Sequence, residues 1–314
     1  MLLTEEQIAN FPVKHFSMSS LRQYMSDQQM FFKRYIRLEF DNTTGPAAIE
    51  GSALHAILEQ FWTWQQAKQD MVLFDFEDAL ARQIQVIKMR DAKLEIEWGR
   101  TGSLESSIKN IRTAYTFYLA ELPPYKKILS TEQKFLTDFE DLAGNPMPIP
   151  LKGFCDLIIE DDDGELVVVD HKLVAYPKLQ EEVDAGYQLQ AAAYWFLVRK
   201  YYNRNPKYMI FDQIKKTKNR DGSPQLTIYR IDYTPELLET FLEIYRRITL
   251  SLAGVPLIDE NGSLQFIPNP FAMFDGNKSW EDFSEEVQRG SGWKKKDTFD
   301  PNALADDNIY DLDL

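Results

Sequence analysis

The chain has 314 residues, 44% of them hydrophobic and 13% aromatic, and a formal net charge of −14. That length and apolar content support one large domain or two smaller ones with a substantial core, and exclude disorder over most of the chain. The charge disfavours a surface that coats polyanions generally, so any nucleic-acid site must be a local basic groove or work through metal ions.

Residues 1–16 read as an irregular arm, without the basic stretch and apolar run of a secretory leader. "SMSSLRQYMSDQQMFFKRYIRLEF", 17–40, has serine capping signals before spaced apolar positions and predicts one or two helices. "DNTTGP" is a break, and "AAIEGSALHAILEQFWTWQQAKQ", 47–69, is a strong helix. Residues 75–121 read as mostly helical, interrupted near "WGRTGS" and closed by Pro123 and Pro124. The apolar period then shortens. "STEQKFLTDFE", "IPLKGFCDLIIE" and "ELVVVDHKL" read as three strands, and "DDDG" at 161–164 makes an antiparallel hairpin of the last two. Residues 182–202 return to helix. "KYMIFDQIKKT" and "QLTIYRIDY" form a second strand pair, and "TPELLETFLEIYRRITLSLAG" an amphipathic helix with Pro235 near its first turn. This divides the chain into a helical part (1–124), an α/β core (125–254), an extension rich in Pro, Gly and Asp (255–296) and an acidic tail (297–314). No stretch is apolar over the roughly 18–20 residues of a membrane span. Cys155 is the only cysteine, which excludes an internal disulfide and a four-cysteine metal site and fits a reducing, cytoplasmic compartment.

The chemistry concentrates where the apolar strand "VVVDHKL", 167–173, ends in charge. Side chains alternate faces along a strand, so Asp170 and Lys172 share one face and His171 takes the other. Asp156 ends "GFCD" on the partner strand, about as far from the hairpin turn as Asp170, so the two acids can be cross-strand neighbours. Two close carboxylates repel unless a cation joins them, and a hard divalent ion fits them. Lys172, on the same face, can then polarise the attacking water or stabilise a phosphorane-like transition state. The competing reading is a solvated hairpin edge with a surface ion pair. The imidazole of His171 is expected to face away from the acids, and Cys155 to be a buried filler.

"GFCDLIIEDDDGELVVVDHKL" resembles the core signature of the PD-(D/E)XK nuclease superfamily: an acid, a hairpin, then acid-x-Lys. Four more stretches, in the family's order over about 17–275, are similar to its RecB-like exonuclease branch, which includes phage and CRISPR-associated enzymes. They are "SMSSLRQYMSDQQMFFKRYI", "EGSALHAILE", "QAAAYWF" and "FIPNP". The resemblance implies a mixed central sheet flanked by helices, a helical N-terminal part, and DNA cleavage with Mg²⁺ or Mn²⁺. It implies Asp156, Asp170, His55 and the backbone carbonyl of His171 as metal ligands and Lys172 as the catalytic lysine. Gln190 and Tyr194 would lie against the site and contact DNA, and Glu132 would match an acidic position before the core. The iron–sulfur cysteines of many relatives are missing here, so no iron–sulfur cluster is expected.

The expected substrate is DNA, as ends or single strands, in recombination, repair or phage replication, in a bacterial cell or phage-infected host. Lys215, Lys216, Lys218 and Arg220 on the second hairpin, and Lys294 to Lys296, are candidate DNA contacts. The tail, "DTFDPNALADDNIYDLDL", carries six aspartates and no lysine or arginine. It is expected to be disordered, and three roles are open to it: solubility, docking on a replication or recombination protein, or occupying the chain's own DNA channel. Two rival readings remain. One is a non-catalytic partner-binding protein or DNA mimic on a nuclease-derived fold, favoured by net charge but not by Lys172. The other is a restriction-type endonuclease, disfavoured by the helix motifs.

Overall fold

The computed structural model describes residues 3–254 apart from 40–42, 68–72, 92–94, 100–101, 123–124, 126, 141–143, 183, 222 and 224. "FIPNP", Lys294 to Lys296 and the acidic tail lie outside the described residues.

The N-terminal part is helical: α1 (Glu5–Ala9), α2 (Met18–Ser26), α3 (Gln28–Phe31) with a π-turn over Phe32–Ile36, α4 (Pro46–Gln66), α5 (Phe76–Asp91) and α6 (Leu104–Ala120). Within it, β1 (Thr43–Thr44) pairs in parallel with β2 (Glu95–Ile96). The arm read as irregular is more ordered than expected. "TEEQ" is a capping box, with Thr4 and Gln7 each satisfying the other's backbone N–H, and it starts α1. Phe16 then adds to the sheet: its N–H donates to the Pro150 carbonyl and its carbonyl accepts from Lys152.

The core is a five-stranded mixed sheet in the order β3 (Lys127–Glu140), β4 (Pro146–Glu160), β5 (Leu166–Val174), β6 (Tyr208–Lys215), β7 (Leu226–Asp232). All neighbours are antiparallel except β5 and β6, which are parallel and joined through α7 (Ala185–Tyr202). Helix α8 (Pro235–Leu252), capped by Thr234, follows β7. The sheet is covered on both faces, which is why its central strands read as nearly continuous apolar runs. One face packs Leu166, Val168 and Phe211 against α2, α7 and α8, and the other packs Val167, Val169 and Ile214 against α4, α5 and α6. A Cβ on Gly153 would stand 2.5 Å from Leu197 Cδ1 and 3.3 Å from Tyr194 Cε1, so this glycine lets α7 approach β4 closely.

Two irregularities open the sheet at one place. The β4–β5 ladder stops at Leu157↔Val169, whereas β5 stays paired with β6 as far as Val174↔Lys215. Asp156 and Asp170 are the next residues along, so they stand at a fork and not in a ladder pair. On β3, the pairs Thr131↔Leu157 and Gln133↔Cys155 bracket Glu132, whose φ of 41° is left-handed. Cys155 belongs to one core face and Leu157 to the other, although residues two apart should share a face. The alternation breaks at Asp156 itself. Left-handed backbone at a residue other than glycine is strained and persists only where its surroundings require it.

Candidate active site

Four elements meet at the fork. Helix α4 buries Ile49, Glu50, Ala53, Leu54, Ile57, Leu58, Phe61 and Trp62 along one stripe, and His55 flanks that stripe with its ring 30% exposed. Its Nδ1 lies 3.2 Å from Asp156 Oδ2. The backbone N–H of His171, past the last β4–β5 ladder pair, donates to the same oxygen at 2.7 Å. A carboxylate has replaced the next strand as acceptor, and this holds the fork open while satisfying the amide. Ligand atoms of His55, Glu132 and Asp156 all lie within 4.8 Å of one another, a set that can hold a divalent ion.

Asp170, buried on β5, has two different oxygens. Oδ1 accepts from Gln190 Nε2 at 2.8 Å. Oδ2 is buried with no well-formed hydrogen bond, although Lys172 Nζ lies 2.8 Å away. A buried carboxylate whose oxygen has a poorly aligned ammonium as its partner, beside a His–Glu–Asp cluster, fits a cation site.

The charges tell the same story. Burial opposes ionisation of Asp156, but the charge of His55 and hydrogen bonds from His171 and His55 hold its carboxyl well below the usual carboxylate range. Burial also works against a charged His55, yet Asp156 and Asp170 raise its pKa to about 9. Burial and then the Asp156 charge push Glu132 up to about 8. Asp170 is raised by burial, with Lys172 opposing and Asp156 reinforcing. Without a cation, this group keeps protons that ordinary acids have lost.

Asp170 and Lys172 share a face as alternation requires, and Gln190 comes to that face from α7. Tyr194, one turn further along α7, packs beside Gly153. The His171 ring departs from expectation. It lies on the opposite face, buried, but its Nδ1 is still 3.4 Å from Asp156 Oδ2, because the break in alternation at Asp156 brings that carboxylate within its reach. Lys216 Nζ, a candidate DNA contact, sits 3.0 Å from the buried Glu50 carboxylate, and Lys215 Nζ contacts Asn219. Sequence reasoning missed Tyr118, Tyr125 and Asp212, which surround the far side of the His171 ring. Only a buried acid in the apolar run "YMIFDQIK" hinted at Asp212.

The sequence profile of the PD-(D/E)XK nuclease superfamily matches residues 15–270. The chain belongs to that superfamily. Among solved structures, this superfamily member is similar to a candidate exonuclease from Eubacterium rectale, with 14% identity, 88% of this chain and 100% of the other covered, and a TM-score of 0.49. It is also similar to SSO0001, with 15% identity, 74% and 84% covered, and a TM-score of 0.32. No protein of curated function matches. With Cys155 buried in the core as the single cysteine, this nuclease-superfamily chain lacks the thiolates for a cysteine-ligated iron–sulfur cluster. Among the described residues, no helix is long and apolar enough to cross a membrane.

Proposed function

We propose that the protein is a divalent-metal-dependent deoxyribonuclease of the RecB-like exonuclease branch, acting on DNA ends. The observation that carries this reading is the His55, Glu132 and Asp156 cluster at the strand fork, with Asp170 and Lys172 beside it. His55, Glu132, Asp156, Asp170 and the His171 carbonyl would hold a divalent ion, which would supply Lewis acidity toward a phosphoryl oxygen and make water a stronger nucleophile. The Lys172 ammonium, kept beside Asp170, presents positive charge where negative charge develops on the scissile phosphate. Gln190 fixes the other Asp170 oxygen and so the aim of that carboxylate. The motif order around this site favours the exonuclease branch over a restriction-type enzyme.

Purified protein with Mn²⁺ or Mg²⁺ is expected to shorten linear DNA labelled at the 5′ or 3′ end and to spare covalently closed circles. Cleavage of circles at a similar rate overturns the preference for ends. No cleavage of either substrate across both metals overturns the enzyme reading in favour of a non-catalytic DNA-mimic or partner-binding role.

A further inference from the structure

The far side of the His171 ring is lined by polar groups that the proposed chemistry leaves unused. Asp212, on β6, is fully buried. Its Oδ1 and Oδ2 accept from the Tyr125 hydroxyl at 3.0 and 3.1 Å, and its Oδ2 is 3.4 Å from the Tyr118 hydroxyl. The Tyr118 oxygen also lies 3.0 Å from His171 Nε2 and accepts from Trp62 Nε1 at 3.1 Å. The ring's other nitrogen, Nδ1, faces Asp156 Oδ2 at 3.4 Å.

These groups have few ways to share their protons. Trp62 Nε1–H is only a donor, Tyr118 has one proton to give, and an ionised carboxylate only accepts. Trp62 donates to Tyr118, and the Tyr118 hydroxyl stands within hydrogen-bond reach of both Asp212 Oδ2 and His171 Nε2, so this one oxygen joins the buried acid to the ring whose Nδ1 faces Asp156. Asp212, fixed by Tyr125, flanks the Tyr118 and Nε2 end of the series. Buried polar and ionic groups are weak evidence of a purely stabilising role, since apolar replacements of buried ion pairs are often neutral or stabilising. Their common endpoint is the carboxylate of the metal cluster.

We infer that Tyr118, Asp212 and Tyr125 are positioning residues that aim Asp156 at the metal through the His171 ring. This deepens the nuclease reading and rests on it. Outer groups that orient a metal ligand influence affinity for the ion without touching it.

The test is Mn²⁺ titration by calorimetry in the absence of DNA, on full-length wild-type, Tyr118→Phe, Asp212→Asn and Tyr125→Phe proteins whose folding is checked by thermal unfolding. Tyr118→Phe and Asp212→Asn are expected to weaken Mn²⁺ binding about 10-fold or more. Tyr125→Phe, acting only through Asp212, should give a smaller loss in the same direction. Cleavage by the variants should recover as Mn²⁺ is raised, with KM for DNA unchanged, which a general structural defect would not produce. If Tyr118→Phe does not fold, Asp212→Asn and Tyr125→Phe decide the matter. Wild-type Mn²⁺ affinity in the folded variants overturns the inference and leaves the nuclease reading standing. Wild-type protein that binds no Mn²⁺ sinks the nuclease reading itself.

Discussion

Helix α4 carries residues of two buried polar sites five positions apart, and they are built in opposite ways. Glu50 is 2% exposed and saturated with partners: Ser107 Oγ at 2.8 Å and Asn110 Nδ2 at 2.9 Å on one oxygen, and Lys216 Nζ at 3.0 Å on the other. It ties α4 to α6 and to the end of β6. The cluster beside His55 crowds carboxylates instead: Asp170 Oδ2 faces the Lys172 ammonium at 2.8 Å without a well-formed hydrogen bond, and burial with the Asp156 charge pushes Glu132 up to about 8. A buried acid that serves the fold is given its donors by the protein, because an unpaired one is costly. Carboxylates crowded together beside a histidine form instead a set that can hold a divalent cation.

The contrast breaks first, and most visibly, at Asp170. Asp170→Asn is expected to lower cleavage more than about 100-fold, since a ligand matters at least as much as the outer groups that orient one. Its metal-free melting temperature should stay close to wild type. Lys172→Ala should be as inactive but still bind Mn²⁺ in calorimetry, because lysine is not a ligand there. Near-wild-type cleavage by either variant removes the functional half of the comparison.

Mn²⁺ affinity is next in size. An ion held by Glu132 and His55 would have to displace protons from both, at about 8 and about 9. Affinity should therefore rise by roughly ten-fold or more per pH unit between pH 6 and 8 and level off above 9. The stability of the metal-free protein should move the other way. Both groups bind protons more tightly folded than unfolded, so His55 contributes fully below its ordinary 6.5 and loses that contribution as pH rises through about 9. Glu132 adds a loss from its ordinary 4.5 up to about 8. Thermal melts from pH 6 to 9, with and without Mn²⁺, check this. A metal-free melting temperature that rises over that window contradicts it.

Glu50 should fail in the opposite manner to Asp170. Glu50→Ala leaves the fully buried Ser107 hydroxyl without its acceptor and Lys216 without its counter-charge. The expected loss is about 2–3 kcal/mol, seen as a fall of roughly 5–10 °C in melting temperature. Specific activity of the remaining folded protein should be retained at low temperature. Lys216→Ala is the smallest change, about 1.5 kcal/mol, since Ser107 and Asn110 still donate to the Glu50 carboxylate. It should leave the salt dependence of DNA binding where it was, whereas a true phosphate contact would lower that slope by about one. A lower slope for Lys216→Ala would return it to the DNA interface.

What the sequence alone determined is what depends on near neighbours. Strand alternation put Asp170 and Lys172 on one face and His171 on the other, and "DDDG" placed Asp156 and Asp170 at matching distances from a tight turn. These follow from a period of two and a short connection. Gln190 and His55 were legible only through the motif resemblance, since a lone polar residue on a helix has no local signature. Tertiary structure decided the rest. The left-handed φ of Glu132 and the broken alternation at Asp156 arise where three strands and α4 converge, and no local pattern encodes that convergence. Tyr118, His171 and Asp212 lie on α6, β5 and β6, and meet only because α6 packs on that face of the sheet. The pairing of Lys216, a candidate DNA contact, with Glu50 was not legible because the two are 166 residues apart in the chain. Pairings of that range are set by how the layers pack, so they cannot be read from neighbours along the chain.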